Sequence, residues 1–136
     1  MADIVVVPAA VLIYAGAEVQ HGLTCGAVAV TAGEAVYTAV DGSICKCTAA
    51  SALLAAATGV TLNAASPGQP VSIVKSGPYN PGVAVTVGLQ YGVTDTAGGI
   101  ALISERAAAD FVTVLGIATT TTKIQLAINK SGVAIA

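Results

Sequence analysis

Residues 35–47 constrain the fold of this chain most. Ala35-Val36-Tyr37-Thr38-Ala39-Val40 alternates, Asp41-Gly42 follows, and Ser43-Ile44-Cys45-Lys46-Cys47 alternates again. Asp-Gly between two alternating runs marks a tight hairpin, because both turn positions favour positive φ. A period of two along each arm places Cys45 and Cys47 on one face and Lys46 on the other.

The rest of the chain repeats the theme without an exact internal repeat. Short branched or apolar runs are read as strands: Ile4 to Val7, Val11 to Tyr14, Ala27 to Thr31, Val71 to Val74, Val83 to Val87, Gln90 to Thr94, Ile100 to Ile103, Phe111 to Ala118, Lys123 to Ile128 and Val133 to Ile135. Clusters of Gly, Pro, Ser, Thr and Asn separate them. Ser66 to Pro70 and Ser76 to Gly82 are dense in turn residues and read as loops. Thr48 to Ala57 reads as the one helix: Thr48 can cap it, Ala and Leu favour it, and Gly59 lies just past its end. A single helical turn fits Ser104 to Asp110. The expectation is a single all-β domain over residues 1–136: a small sandwich or barrel of short antiparallel strands with one short helix. Residues 1–8 could instead form an extended arm reaching a neighbour.

Composition bears on what surrounds such a domain. Only 9% of the residues are charged, against about 25% in an ordinary soluble domain. Large core-fillers are scarce, with no Trp, 1 Phe and 1 Met. Small side chains yield little each at about 25 cal/mol per Å² buried, so association with other subunits would supply burial that one chain lacks. The formal net charge is −2 and no basic run exists, which removes the phosphate neutralisation behind nucleic-acid binding. The longest apolar stretch, Ile4 to Ala17, is broken by Pro8 and Gly16. It falls short of the ~20 residues a spanning helix needs, and no basic region precedes it as in a signal peptide. The chain is therefore read as neither a nucleic-acid nor a membrane binder.

From about Asn63 onward the sequence resembles the head decoration, or capsid cement, proteins of tailed bacteriophages. The residues that carry the resemblance are Pro67-Gly68-Gln69-Pro70-Val71-Ser72-Ile73-Val74, Gly88-Leu89-Gln90-Tyr91-Gly92-Val93, Thr96-Ala97-Gly98-Gly99-Ile100-Ala101, Phe111-Val112-Thr113-Val114-Leu115-Gly116-Ile117-Ala118 and Leu126-Ala127-Ile128-Asn129-Lys130-Ser131-Gly132-Val133-Ala134, in that order. The resemblance covers a little more than half the chain, and the first half matches no family. It implies a β-rich, commonly trimeric virion protein, made in the host cytoplasm and bound to the major capsid protein outside an icosahedral shell. Such a protein locks capsid subunits together against the pressure of packaged DNA. It performs no catalysis and needs no cofactor.

Few residues carry chemistry. His21, Cys25, Cys45 and Cys47 are zinc-type ligands in the spacing His-x3-Cys and Cys-x-Cys. In a strand, Cys-x-Cys points both thiols one way but about 7 Å apart, a poor match to Cys-x2–4-Cys zinc sites. Buried thiols are the preferred reading, with a disulfide as a further alternative. Three cysteines make no disulfide framework and suit a reducing compartment. Gly92-Val93-Thr94-Asp95 resembles a fragment of the trimeric dUTPases, but Thr96-Ala97-Gly98 stands where that family has Tyr-Arg. Asp95 is read as a turn residue. As interface residues the sequence offers the apolar run Ile4, Val5, Val6 and Val7. Tyr79, between prolines in what reads as a projecting loop, and Arg106, the only arginine, complete the set; both residue types are common interface anchors. The rival readings are a β module of a head or tail fibre, and a small β-rich enzyme or zinc-binding module.

Overall fold

One long strand joins the two halves of the molecule. The computed structural model describes Ile4, Val6 and residues 11–105 and 110–134. Among them are strands β1 (Val11–Ile13), β2 (Glu18–Thr24), β3 (Ala35–Thr38), β4 (Ile44–Lys46), β5 (Gly59–Thr61), β6 (Pro70–Pro81), β7 (Gln90–Val93), β8 (Ile100–Leu102), β9 (Phe111–Thr120) and β10 (Lys123–Ala134). All pairings between them are antiparallel. The main hydrogen-bonded order is β4-β3-β5-β6-β10-β9-β7-β8, with β1 and β2 also on β6. The sheet curls into a half-barrel, so the fold is all-β.

The first half of β6 lies between β2 and β5, with Val74 opposite both Val19 and Val60. Its second half lies between β1 and β10, with Tyr79 opposite both Ile13 and Ile124. The N-terminal sheet (β2, β6, β5, β3, β4) and the C-terminal sheet (β1, β6, β10, β9, β7, β8) therefore share this strand. The change of partners falls at Gly77, whose φ of 94° is open chiefly to glycine. A Cβ there would stand 2.7 Å from both Ala17 Cα and Gly16 O. The expected loop from Ser76 to Gly82 is thus strand as far as Pro81. Pro70 and Pro81 sit at the strand ends, and Pro78 follows the Gly77 bend, places where a missing N–H is tolerated. The Pro78 carbonyl still accepts the Tyr14 N–H at 3.1 Å.

The expected helix from Thr48 to Ala57 is a string of turns. A segment of two or three turns is marginal as a helix, and here tertiary partners take its backbone groups. Ala49 donates its N–H to Thr94 O and accepts from Phe111 N–H, at 2.8 and 2.9 Å. The Thr113 hydroxyl donates to Ala55 O. The described helical geometry is one 3-10 turn, Ile103–Glu105, beginning one residue before the expected Ser104. Ala27 to Thr31 contributes a bridge, Val30 to Ala65, instead of a strand. The runs expected as separate strands, Lys123 to Ile128 and the one from Val133, are joined in β10 as far as Ala134, with register shifts and Gly132 at φ 68° between them; Ile135 lies outside the described residues.

The hairpin at residues 35–47 forms, pairing Val36 with Lys46 and Tyr37 with Cys45. Its loop differs from the expected two-residue turn. Ala39 N–H donates to Ser43 O and Gly42 N–H to Ala39 O, so Val40, Asp41 and Gly42 form a three-residue loop. Gly42, at φ 86°, takes the left-handed position that closes such loops. The Asp41 carboxylate accepts both the hydroxyl and the N–H of Ser43, at 2.7 and 3.0 Å. These bonds hold its pKa below the usual carboxylate value.

Two apolar clusters fill the structure. The larger joins both sheets and includes Val60, Val74, Tyr79, Tyr91, Val93, Ile100, Leu115, Ile124 and Leu126. The smaller lies on the opposite face of the N-terminal sheet, where Cys25, Val30 and Ala65 cover Val36, Ile44, Val71 and Ile73. The turn between β7 and β8 fastens the halves together: Gly98 N–H donates to Cys47 O and Ala35 N–H to Gly98 O, at 2.8 and 3.1 Å. Beside it the Glu34 carboxylate pairs with Lys46 at 3.2 Å and accepts the Thr31 N–H at 2.7 Å.

Candidate functional site

The C-terminal sheet presents the most distinctive surface. Its strands alternate, so Ile124 and Leu126 enter the core while Gln125 and Ala127 are exposed. Register extends this outward set across the sheet: Gln90 lies opposite Ile117, Ile117 opposite Gln125, and Gln125 opposite Pro78. With Val114, Thr119, Ala127 and Asn129, three of these residues line a shallow depression of about 380 Å³. None of the lining residues ionises. Ile117 is 42% exposed, and Leu89 and Val87 are exposed nearby on the approach to β7. The depression exists because Gly116 and Ala127 are small. A Cβ on Gly116 would collide with the Gln125 backbone, so β9 and β10 approach closely there. Lys123 is a neighbouring cation, and its ammonium sits over the Tyr14 ring, 4.5 Å from the centroid.

The structure disperses the residues proposed for chemistry. His21 is exposed on β2 and shares a 2.8 Å hydrogen bond with the Ser72 hydroxyl. Cys25 is buried in the smaller cluster, its thiol donating to Val28 O and Ala65 O at 3.3 and 3.6 Å. Cys47 is buried in the larger cluster, on the other side of the sheet. Cys45 is half-buried opposite Tyr37. The His-x3-Cys and Cys-x-Cys pairs therefore do not converge. Among the described residues no group of three or more His, Cys, Asp or Glu could hold a metal ion. All three cysteines are free thiols. Burial pushes the Cys47 thiol up to about 12, with further repulsion from Cys45 and a small opposing pull from Lys130. Tyr37 is raised chiefly by burial and secondarily by its Cys45 neighbour.

The sequence-derived interface residues have mixed fates. Tyr79 does not project: it lies within β6, fully buried in the larger core. Burial raises its pKa, and its hydroxyl has no hydrogen-bond partner among the described residues. Ile4 packs half-buried against the main core and donates its N–H to Ile100 O at 2.8 Å. Val6 packs on Gly33, where an added Cβ would stand 2.5 Å from its Cγ1. Val5, Val7 and Arg106 lie outside the described residues. Asp95 lies in the bend that leads into the Gly98-Gly99 turn.

Sequence reasoning missed the outer face of β7, β9 and β10. Its signal was present in the alternation from Lys123 to Ile128, which separates Gln125 and Ala127 from Ile124 and Leu126. What could not be read was that Gln90 and Ile117 align with Gln125. Comparison with protein-family models, curated proteins and solved structures finds no match to this chain.

Proposed function

We propose that this chain is a non-catalytic structural subunit of a virion, which binds the outer surface of an icosahedral capsid and stabilises it. The observation that carries this reading is the uncharged sheet face built on Gln90, Ile117 and Gln125. The exposed surface, 6148 Å², is close to the roughly 6,400 Å² of a compact monomer of this mass. The low charge content is therefore spread over a surface of ordinary size, and part of that surface suits protein contact better than water. Exposed apolar and neutral polar patches of this kind mark interaction sites. The ordered resemblance in the second half supplies the partners: the major capsid protein, and copies of the chain itself as a homotrimer. Three simultaneous contacts with the shell would give avidity without strong single contacts.

Cryo-electron microscopy of the source particle tests the proposal. Density for this chain is expected in many copies over the outer shell. Its absence from purified virions overturns the proposal, and a few copies confined to one vertex would make it a fibre module instead.

A further inference from the structure

We infer that Asp41, at the tip of the β3–β4 hairpin, is this chain's site of spontaneous isoaspartate formation, and that the Ser43 hydroxyl holds that reaction in check. The inference goes beyond the coat-subunit reading and does not depend on it.

The reaction is internal and involves no oxidant or reductant. The Gly42 amide nitrogen attacks Asp41 Cγ, an N–Cγ bond forms, and the carboxyl hydroxyl leaves as water with the amide proton. Water then opens the resulting ring at either carbonyl. Breaking the new N–Cγ bond restores aspartate. Breaking the original bond between the Asp41 carbonyl carbon and the Gly42 nitrogen leaves Gly42 joined through Cγ, with the mass of the chain unchanged.

Two observations place this reaction at Asp41. Of all the Asp and Asn residues in the chain, only Asp41 precedes a glycine, the residue whose missing side chain leaves its nitrogen least hindered. Asp41 and Gly42 are both exposed, and a Cβ on Gly42 would meet nothing within 4 Å. Packing therefore sets no obstacle to the ring.

What restrains the reaction is hydrogen bonding. Asp41 Oδ1 accepts the Ser43 hydroxyl at 2.7 Å and the Ser43 N–H at 3.0 Å. The carboxylate is thus committed to Ser43, one residue beyond the nitrogen that must attack it. The Gly42 N–H is itself donated to Ala39 O at 2.9 Å, so that bond must break before the nitrogen can turn to Cγ. The bonds from Ser43 also favour the charged carboxylate, the form from which an oxygen leaves least readily. The product would add a carbon to the main chain of a three-residue loop whose length fixes the β3–β4 register.

The test follows isoaspartate in the full-length chain, held at neutral pH and physiological temperature. Enzymatic methylation of isoaspartyl carboxylates measures the amount, and proteolytic peptide mapping gives the position. In the folded wild type isoaspartate is expected to form slowly and at Asp41 first, and in urea many-fold faster at the same residue. Ser43→Ala keeps the N–H bond and loses the hydroxyl, and is expected to raise the folded rate several-fold. Ser43→Thr restores a hydroxyl and is expected to bring the rate back toward wild type. Leu115→Ala weakens the distant main core and is expected to leave the folded rate at Asp41 alone, which separates a local restraint from global unfolding. Should Ser43→Ala fail to fold, Ser43→Cys in reductant, with a similar shape and a weaker donor, decides. Isoaspartate that forms first at another residue overturns the site. A folded wild type as fast as the chain in urea, a Ser43→Ala rate equal to wild type, or a rise that Leu115→Ala matches overturns the restraint by Ser43.

Discussion

The two sheets share β6 yet differ in what covers their outer faces. The N-terminal sheet is buried on both sides around β5, all three of whose residues are buried, while β2 at its edge is largely exposed. Its inner face joins the main core. Its outer face is covered by Val30, Cys25 and Ala65, held by paired hydrogen bonds between Val30 and Ala65 at 2.9 and 3.0 Å. In the C-terminal sheet β10 is buried on one side only, alternating between Ile124 or Leu126 inside and Gln125 or Ala127 outside. A sheet covered on both faces reads as a near-continuous apolar run, and one with a free face reads as alternation. The first sheet is completed by its own chain. The second ends in a neutral face that another protein can cover.

The largest effects should come from the two cores that define this contrast. Leu115→Ala in the main core is expected at the upper end of the ~2–5 kcal/mol range for such truncations, and Ile44→Ala in the small cluster at the lower end. The reason is that the segment over Ile44 can settle into the space, whereas strands enclose Leu115. Denaturant midpoints with unchanged m-values measure this. Equal losses would make the two clusters equally rigid.

Gly77→Ala should cost about 2–4 kcal/mol, made of ~1–2 kcal/mol of left-handed backbone strain plus displacement of the Gly16–Ala17 backbone. Hydrogen exchange sharpens the comparison. If β6 couples the sheets, amides of β5 and β9 lose protection together. Loss confined to one sheet would make them separate cooperative units.

Tyr79→Phe should be neutral or stabilising by up to ~1 kcal/mol, because it removes a buried hydroxyl without a partner among the described residues. A clear loss of stability would show that the hydroxyl is satisfied in solution.

The smallest effects at neutral pH concern the thiols. Alkylation should reach Cys45 first, then Cys25 under its loop, and Cys47 last, in the order of their covering. Labelling of Cys47 before Cys25 would reverse the ranking of the two cores. At alkaline pH the sign is definite. Cys47 is raised from 9.0 to about 12 in the folded state, so the folded chain holds that proton more tightly than the unfolded one. Its contribution is intact below pH 9 and is lost as pH rises toward 12. Buried Tyr79 acts in the same direction. Thermal midpoints across that window should fall, and Cys47→Ala should flatten the decline.

Much of the fold was legible in the chain. The hairpin at residues 35–47, the strand at Gln90–Val93 and the pair around the Thr119–Thr122 turn were all readable, because side-chain alternation and turn chemistry are local. The failures were segments whose local signal lost to distant partners. Thr48–Ala57 has helical composition, but Thr94, Phe111 and Thr113 capture its backbone. Ser76–Gly82 has loop composition, but β1 and β10 pair with it from both sides. Tyr79 belonged to that misread segment, so a core residue was taken for a projecting anchor. The spacing already spoke against the zinc-type set and placed Cys45 with Cys47; it could not tell that Cys25 would fall in the smaller cluster and Cys47 in the larger one.

By itself the sequence determined an all-β chain of short strands, poor in charge, with its turns at glycine-rich points. Those properties depend on neighbours a few residues away. Tertiary structure alone decided that β6 would serve two sheets, that the cysteines would part to opposite faces, and that Gln90, Ile117 and Gln125 would align into one neutral row. Each of these depends on register between strands far apart in sequence, and a one-residue slip would turn every outward side chain inward.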